Sequence, residues 1–142
     1  LKDYHMCYKL NKELGTSLYR SRLDVSMDFF EGIEKGQFSL YEYWDKQYEN
    51  QWYLLSNKCQ LICDERLQNE GTIFDGIIQN EEKTKYLVPE NSIVDFYLQV
   101  HGILSENSKL KIIKKIRKLN RVVSAYEICI NNIASKDNLI IK

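Results

Sequence analysis

The spacing of apolar residues changes after Gly15, and that change constrains the fold more than any other feature of the chain. Over 3–14, Tyr4, Cys7, Tyr8, Leu10 and Leu14 recur at helical intervals, with Asp3 at the start and Gly15 just past the end. The pattern predicts a helix closed by a left-handed glycine cap. From Leu23 the period is two: Leu23, Val25, Met27 and Phe29 alternate with Asp24, Ser26 and Asp28. Successive strand side chains point to opposite faces, so this stretch reads as a half-buried strand with one wet face. A helix followed by alternating strands has to bury its apolar stripe against a sheet.

The strand pattern continues. A turn holding Gly32 and Gly36 leads to a strand over 38–45, and another strand covers 51–58. The intervening D-K-Q-Y-E-N reads as a hairpin loop. Residues 59–84, with a polar run at 64–71 and apolar Ile73, Phe74, Ile77 and Ile78, read as a loop with one short strand. A short strand at 85–88 is stopped by Pro89, which has no N–H for a ladder. Alternation predicts a strand over 94–101, and S-E-N-S at 105–108 supplies the N-cap of a helix over 107–119. Over 122–130, Val122, Ser124, Tyr126, Ile128 and Ile130 alternate with Val123, Ala125, Glu127 and Cys129, so a strand is expected there too.

The expected fold is α+β: one domain over 1–142, a two-layer sandwich with a mainly antiparallel sheet and two helices on one face. The run over 94–130 is expected to form a C-terminal βαβ unit with a right-handed crossover. A ferredoxin-like core is the specific expectation, and it calls for a strand ahead of Leu1. The chain begins at Leu1 rather than Met, so a missing native N-terminus is expected.

Composition narrows the function. With 44% apolar residues the chain has enough for a core, and six Gly plus one Pro exclude low-complexity classes. No run of about 18 apolar residues exists, so no membrane partner is expected. The opening LKDYHMCYKL carries Lys2, Asp3 and Lys9 and is no secretory signal. Cys7, Cys59, Cys63 and Cys129 include one close pair, C-x3-C, and His5 and His101 lie far apart. Zinc sites need four ligands in close pairs, so free thiols in a cytoplasmic setting are expected, with no metal and no cofactor. No P-loop, G-x-G-x-x-G or G-x-S-x-G motif is present.

The segment V-P-E-N-S-I-V-D-F at 88–96 resembles the signature that names the IPExxxVDY family of small bacterial proteins. It matches at Pro89, Glu90, Val94 and Asp95. It departs at Val88, where the name has Ile, and at Phe96, where it has Tyr. D-Y-H-M-C-Y-K-L-N-K-E-L-G, Y-L-L-S-N-K, S-A-Y-E-I and S-K-D-N-L-I-I are also similar, so the resemblance covers most of the chain. It implies a small bacterial protein and no particular activity. At Phe96 no phenolic hydroxyl can be essential.

Several groups are candidates for function. Glu90 and Asp95 have the residue types of an acid–base pair, but carboxylates beside a turn more often accept backbone N–H bonds. Asp95, Tyr97, Gln99 and His101 share one strand face, yet at about 3.3 Å per residue Asp95 and His101 lie roughly 20 Å apart and cannot act on one atom. Tyr41, Tyr43, Trp44 and Trp52 in the hairpin either stabilise the sheet or mark a protein interface. Lys109, Lys111, Lys114, Lys115, Arg117, Lys118 and Arg121 give +7 over thirteen residues, whereas 1–108 hold 11 basic and 18 acidic residues, a net −7. Lys114, Lys115, Arg117 and Lys118 read first as the solvated outer face of a core-packed helix, then as a cationic face for an acidic partner or a second copy, and last for nucleic acid.

The expected function is a non-catalytic binding or regulatory module acting through a protein partner or as a homodimer. The alternative is an RNA-associated accessory protein using the basic helix and the aromatic hairpin, although zero net charge ranks nucleic acid behind a protein partner. An enzyme using Glu90 and Asp95 ranks third.

Overall fold

The computed structural model describes residues 1–29, 34–63 and 84–141. Helix α1 (Asp3–Leu14) ends at Gly15, whose φ of 70° is left-handed and whose N–H donates to the Asn11 carbonyl. Among the described residues, eight strands and a second helix follow: β1 (Tyr19–Arg20), β2 (Val25–Phe29), β3 (Glu34–Phe38), β4 (Leu40–Asp45), β5 (Asn50–Ser56), β6 (Lys58–Cys63), β7 (Thr84–Tyr86), β8 (Phe96–His101) and α2 (Glu106–Arg117). Short 3-10 turns occur at Pro89–Asn91, Ile130–Asn132 and Lys136–Leu139.

The strands form two sheets, in the orders β1-β4-β5-β8 and β2-β3-β6-β7, and every described pair is antiparallel. One long bent hairpin joins them. Its arms leave the first sheet at Ser39 and Asn57 and enter the second. Gly36 faces Leu61 while Leu40 faces Leu55, so three residues on one arm oppose five on the other. Extra residues on one arm bend a strand pair, which is how strands pass from sheet to sheet.

The first sheet is the middle layer. Tyr41, Trp52 and Leu54 from its strands are buried against Cys7, Leu10 and Leu18, with Ile112 and Ile116 of α2 packed on the same cluster. Both helices therefore cover one face, as the sequence predicts. The opposite face contributes Leu40, Leu55 and Tyr97 to a second cluster with Phe38, Cys59, Leu87, Val88, Ile133 and Leu139. Leu54 and Leu55 are adjacent, fully buried and on opposite faces, each worth about 1.5–3 kcal/mol of burial.

Several expectations need correction. Gly36 is not in a turn: it lies inside β3, where an added Cβ would sit 2.7 Å from the Phe29 ring and 2.8 Å from Cys59 Sγ. β6 runs through the start of 59–84, and the patch at Ile73, Phe74, Ile77 and Ile78 lies outside the described residues. No strand forms at 122–130, so there is neither a C-terminal βαβ unit nor a ferredoxin-like strand order. The chain there forms no ladder. Its half-buried residues are Val122, Ala125 and Ile128, a period of three. Cys129, with φ −76° and ψ 120°, lies close to polyproline geometry, which has three residues per turn. An alternating sequence does not by itself make a strand, which also needs a neighbour to bond.

Candidate functional site

The 88–96 motif folds around Asn57, which is fully buried. The Asn57 side-chain Nδ2 donates to the carbonyls of Asn91 (3.0 Å) and Val94 (2.8 Å), and its Oδ1 accepts the Val88 N–H (2.8 Å). Its backbone N–H donates to the Asp95 carbonyl, and its own carbonyl accepts the Leu87 N–H, both at 2.9 Å. Pro89 opens the 3-10 turn that carries the chain across this corner. Val94 packs on the cluster between the sheets and Phe96 on the cluster under the helices. Sequence reasoning missed Asn57, because a single Asn between strands carries no periodic signal.

The two motif carboxylates point to separate partners. Glu90 accepts the Ser135 N–H (2.6 Å) and the Ser135 hydroxyl (2.9 Å). The Ser135 N–H bond holds the Glu90 carboxyl below the usual glutamate range. Asp95 accepts from Lys58 Nζ at 2.6 Å, and that bond raises the lysine pKa. Asn138 Nδ2 donates to the Leu87 carbonyl, and Gln99 Nε2 to the Leu139 carbonyl, both at 2.9 Å. Glu90, Asn138 and Gln99 thus strap the tail across the second core, where Ile133 and Leu139 are buried.

The polar face of β8 is a chain of structural contacts. Tyr97 is buried, and burial raises the pKa of its hydroxyl. His101 Nε2 lies 2.9 Å from Gln99 Oε1 and its ring packs edge-on against Tyr53. His5 stacks on Tyr4. The Cys7 and Cys59 thiols are free and buried, and burial pushes both up, away from the nucleophilic thiolate.

The aromatic hairpin splits. Tyr41 and Trp52 are buried beneath the helices and present no surface, which corrects their expected place in an interface. Tyr43 packs partly buried beside them, and only Trp44 of the four is exposed. Which sheet face would carry the helices was not written in the alternation.

The cationic face of α2 is exposed. Ser105 caps it, accepting the Ser108 N–H at 3.2 Å. Lys109 pairs with Glu106 (3.0 Å) and Glu127 (3.2 Å), and Arg117 Nε donates to the Ala125 carbonyl (2.7 Å). Lys115 Nζ reaches the Glu13 carbonyl at 3.5 Å. The side chains of Lys111, Lys114, Lys118 and Arg121 have no hydrogen-bond or ion-pair partner among the described residues. The Arg117 and Lys109 contacts hold the 122–130 segment beside the helix. On that segment Val123 is 101% and Tyr126 52% exposed, and Leu110 of α2 is 54% exposed. The helix and the segment held beside it thus carry both exposed apolar side chains and cations without side-chain partners.

Two concavities lie elsewhere. One, about 620 Å³, is ringed by Lys2, Arg20 and Lys58 and by Asp3, Asp24 and Asp95. Arg20–Asp24 (2.7 Å) and Lys58–Asp95 (2.6 Å) neutralise most of its charge internally. The other, about 850 Å³, opens between Tyr19, Leu23, Met27, Tyr53 and the tail residues Ile140 and Ile141. Among the described residues no helix is long and apolar enough to cross a membrane. Comparison with protein families, with curated proteins and with solved structures finds no match to this chain.

Proposed function

We propose that this chain is a non-catalytic binding module that works through a protein partner or through self-association in the cytoplasm. The observation that carries the reading is the joint surface of α2 and 122–130. The side chains of Lys111, Lys114, Lys118 and Arg121 have no partner among the described residues, and Val123 and Tyr126 are exposed on the segment that Lys109 and Arg117 hold beside the helix. Exposed aromatic and aliphatic side chains suit a protein interface, and the cations favour an acidic counterpart. Free, buried thiols fit a reducing compartment.

RNA association has less support, because Tyr41 and Trp52 lie under helices and cannot stack on bases. Acid–base chemistry by Glu90 and Asp95 has less again, since Ser135 occupies one and Lys58 the other. The test is affinity capture with and without nuclease, using the chain and its Lys111→Glu/Lys114→Glu/Lys118→Glu variant. The expected result is a nuclease-resistant protein complex, or self-association, that the triple variant weakens. Tight RNA binding, with Kd well below about 10⁻⁶ M at physiological salt, contradicts the reading.

A further inference from the structure

We propose that the larger concavity is a binding site for a small organic cation, an ammonium group carried on an apolar stem. The site is independent of the α2 surface, because it lies on the other face of the first sheet. The strand registers build it. Tyr19 of β1 pairs with Glu42 of β4, Glu42 with Tyr53 of β5, and Tyr53 with Gln99 of β8. Cross-strand partners share a face, so these four side chains form one row across the sheet. Tyr53 packs on the cluster between the sheets, which places the row on the face away from the helices. At a strand spacing of about 4.7–4.9 Å, the two tyrosine stems stand roughly 10 Å apart with the Glu42 stem between them. Gln99 closes the row by holding the tail at the Leu139 carbonyl (2.9 Å). Ile140 and Ile141, just beyond, line the concavity together with Leu23 and Met27.

Three observations select the ligand. First, the Glu42 side chain is half-buried and has no hydrogen-bond or ion-pair partner among the described residues. A partly desolvated carboxylate without a counter-ion favours a cation beside it. Second, that carboxylate is flanked by two aromatic rings. Burial, and then the neighbouring Glu42 and Tyr19, raise the Tyr53 pKa, so its ring stays a neutral phenol. A cation within about 6 Å of a tyrosine ring centroid is attracted to the ring face, and a guest over Glu42 has a ring on either side. Third, the lining charge is acidic. Glu42, Asp24 and Asp137 stand against Arg22, and Arg20 takes Asp24 at 2.7 Å, which leaves two acids against one base. An anion would meet Glu42 directly, and a neutral guest would leave it without a counter-charge. The exposed Leu23 and Ile140 side chains receive the apolar stem. At about 850 Å³ the concavity has the size of a small-molecule site.

The probe is n-butylammonium chloride, titrated into the whole chain by NMR at constant ionic strength, beside 1-butanol, its neutral isostere. The expected result is saturable binding with Kd of about 1–10 mM, with shifts centred on Tyr19, Glu42 and Tyr53. 1-Butanol should bind at least about tenfold more weakly, because it offers no charge to the carboxylate or the rings. That comparison needs no variant. Glu42→Gln and Tyr19→Ala, each confirmed folded by circular dichroism, should weaken butylammonium binding at least about fivefold and about twofold. The peptide acetyl-Gly-Lys-Gly-amide carries the same ammonium on a lysine stem. Tighter binding of the peptide assigns the cation to a partner's lysine and weaker binding to a free amine, and both agree with the site. No saturable binding up to about 50 mM overturns the proposal. So do 1-butanol binding as tight as butylammonium, shifts centred elsewhere, or a Glu42→Gln variant that binds undiminished. None of these bears on the α2 surface.

Discussion

The corner around Asn57 and the segment after α2 satisfy their backbones in opposite ways. At the corner one buried amide side chain replaces the ladder where the strands bend, bonding Val88, Asn91 and Val94. Along 122–129 neither a strand nor a side chain replaces it, apart from Arg117 on the Ala125 carbonyl. The corner is closed around the buried Asn57 side chain, and the segment is largely exposed. Buried polar groups need partners inside the protein, whereas exposed ones can use water until a partner arrives. The closed region belongs to folding, and the open region is where binding is to be sought.

This contrast ranks the expected effects of substitution. Asn57→Ala removes three hydrogen bonds and strands the buried Val88 N–H and the Val94 carbonyl, while the Asn91 carbonyl keeps the Val94 N–H; it should cost about 2–5 kcal/mol in chemical denaturation. A loss under about 1 kcal/mol would mean that water replaces the amide, and that the corner is as open as 122–130. Gly36→Ala drives a Cβ against Phe29 and buried Cys59 and should cost about 1–3 kcal/mol. Equal stability would show that the second sheet is loosely packed beside the corner.

Glu90 sharpens the comparison through pH. Its folded-state pKa is lowered, chiefly by the Ser135 N–H bond. Its contribution is therefore present above the unfolded glutamate pKa of about 4.3, and it is lost as pH falls through the lower folded value. The Ser135 amide signal should titrate in that acidic window, and Glu90→Gln should abolish the titration. A Ser135 signal that is flat across the window in the parent chain would mean the tail is not held by this carboxylate. Asp95→Ala breaks an exposed ion pair and should cost no more than about 1 kcal/mol. Val123→Ser should change monomer stability by less than about 0.5 kcal/mol, because its side chain touches water alone.

Local chemistry was legible in the sequence. Gly15 capped α1 as its position after Leu14 predicts, and Asp45 accepts the Gln47 and Tyr48 N–H bonds in the expected hairpin loop. Glu90 and Asp95 do accept hydrogen bonds, but from Ser135 and from the Lys58 side chain, 45 and 37 positions away, and not from the turn beside Pro89. What escaped was long-range. Asn57 bonds residues 31 to 37 positions away, and no local pattern encodes such a partner. The passage of one hairpin through two sheets depends on a two-residue register offset, which alternation within each strand does not reveal. The segments 94–101 and 122–130 share a pattern, but only the first lies beside β5. Periodicity specifies which side chains go together and leaves open whether a neighbouring strand exists.

Residue-resolved hydrogen exchange on the dilute monomer tests the contrast most directly. The amides of Asn57, Leu87 and Val88 should exchange only through global unfolding, while those of Ser124, Tyr126 and Ile128 exchange near the rate of an unstructured chain. Protection of 124, 126 and 128 equal to that of β8 in the monomer would contradict the account, because the segment would then already have its strand partner.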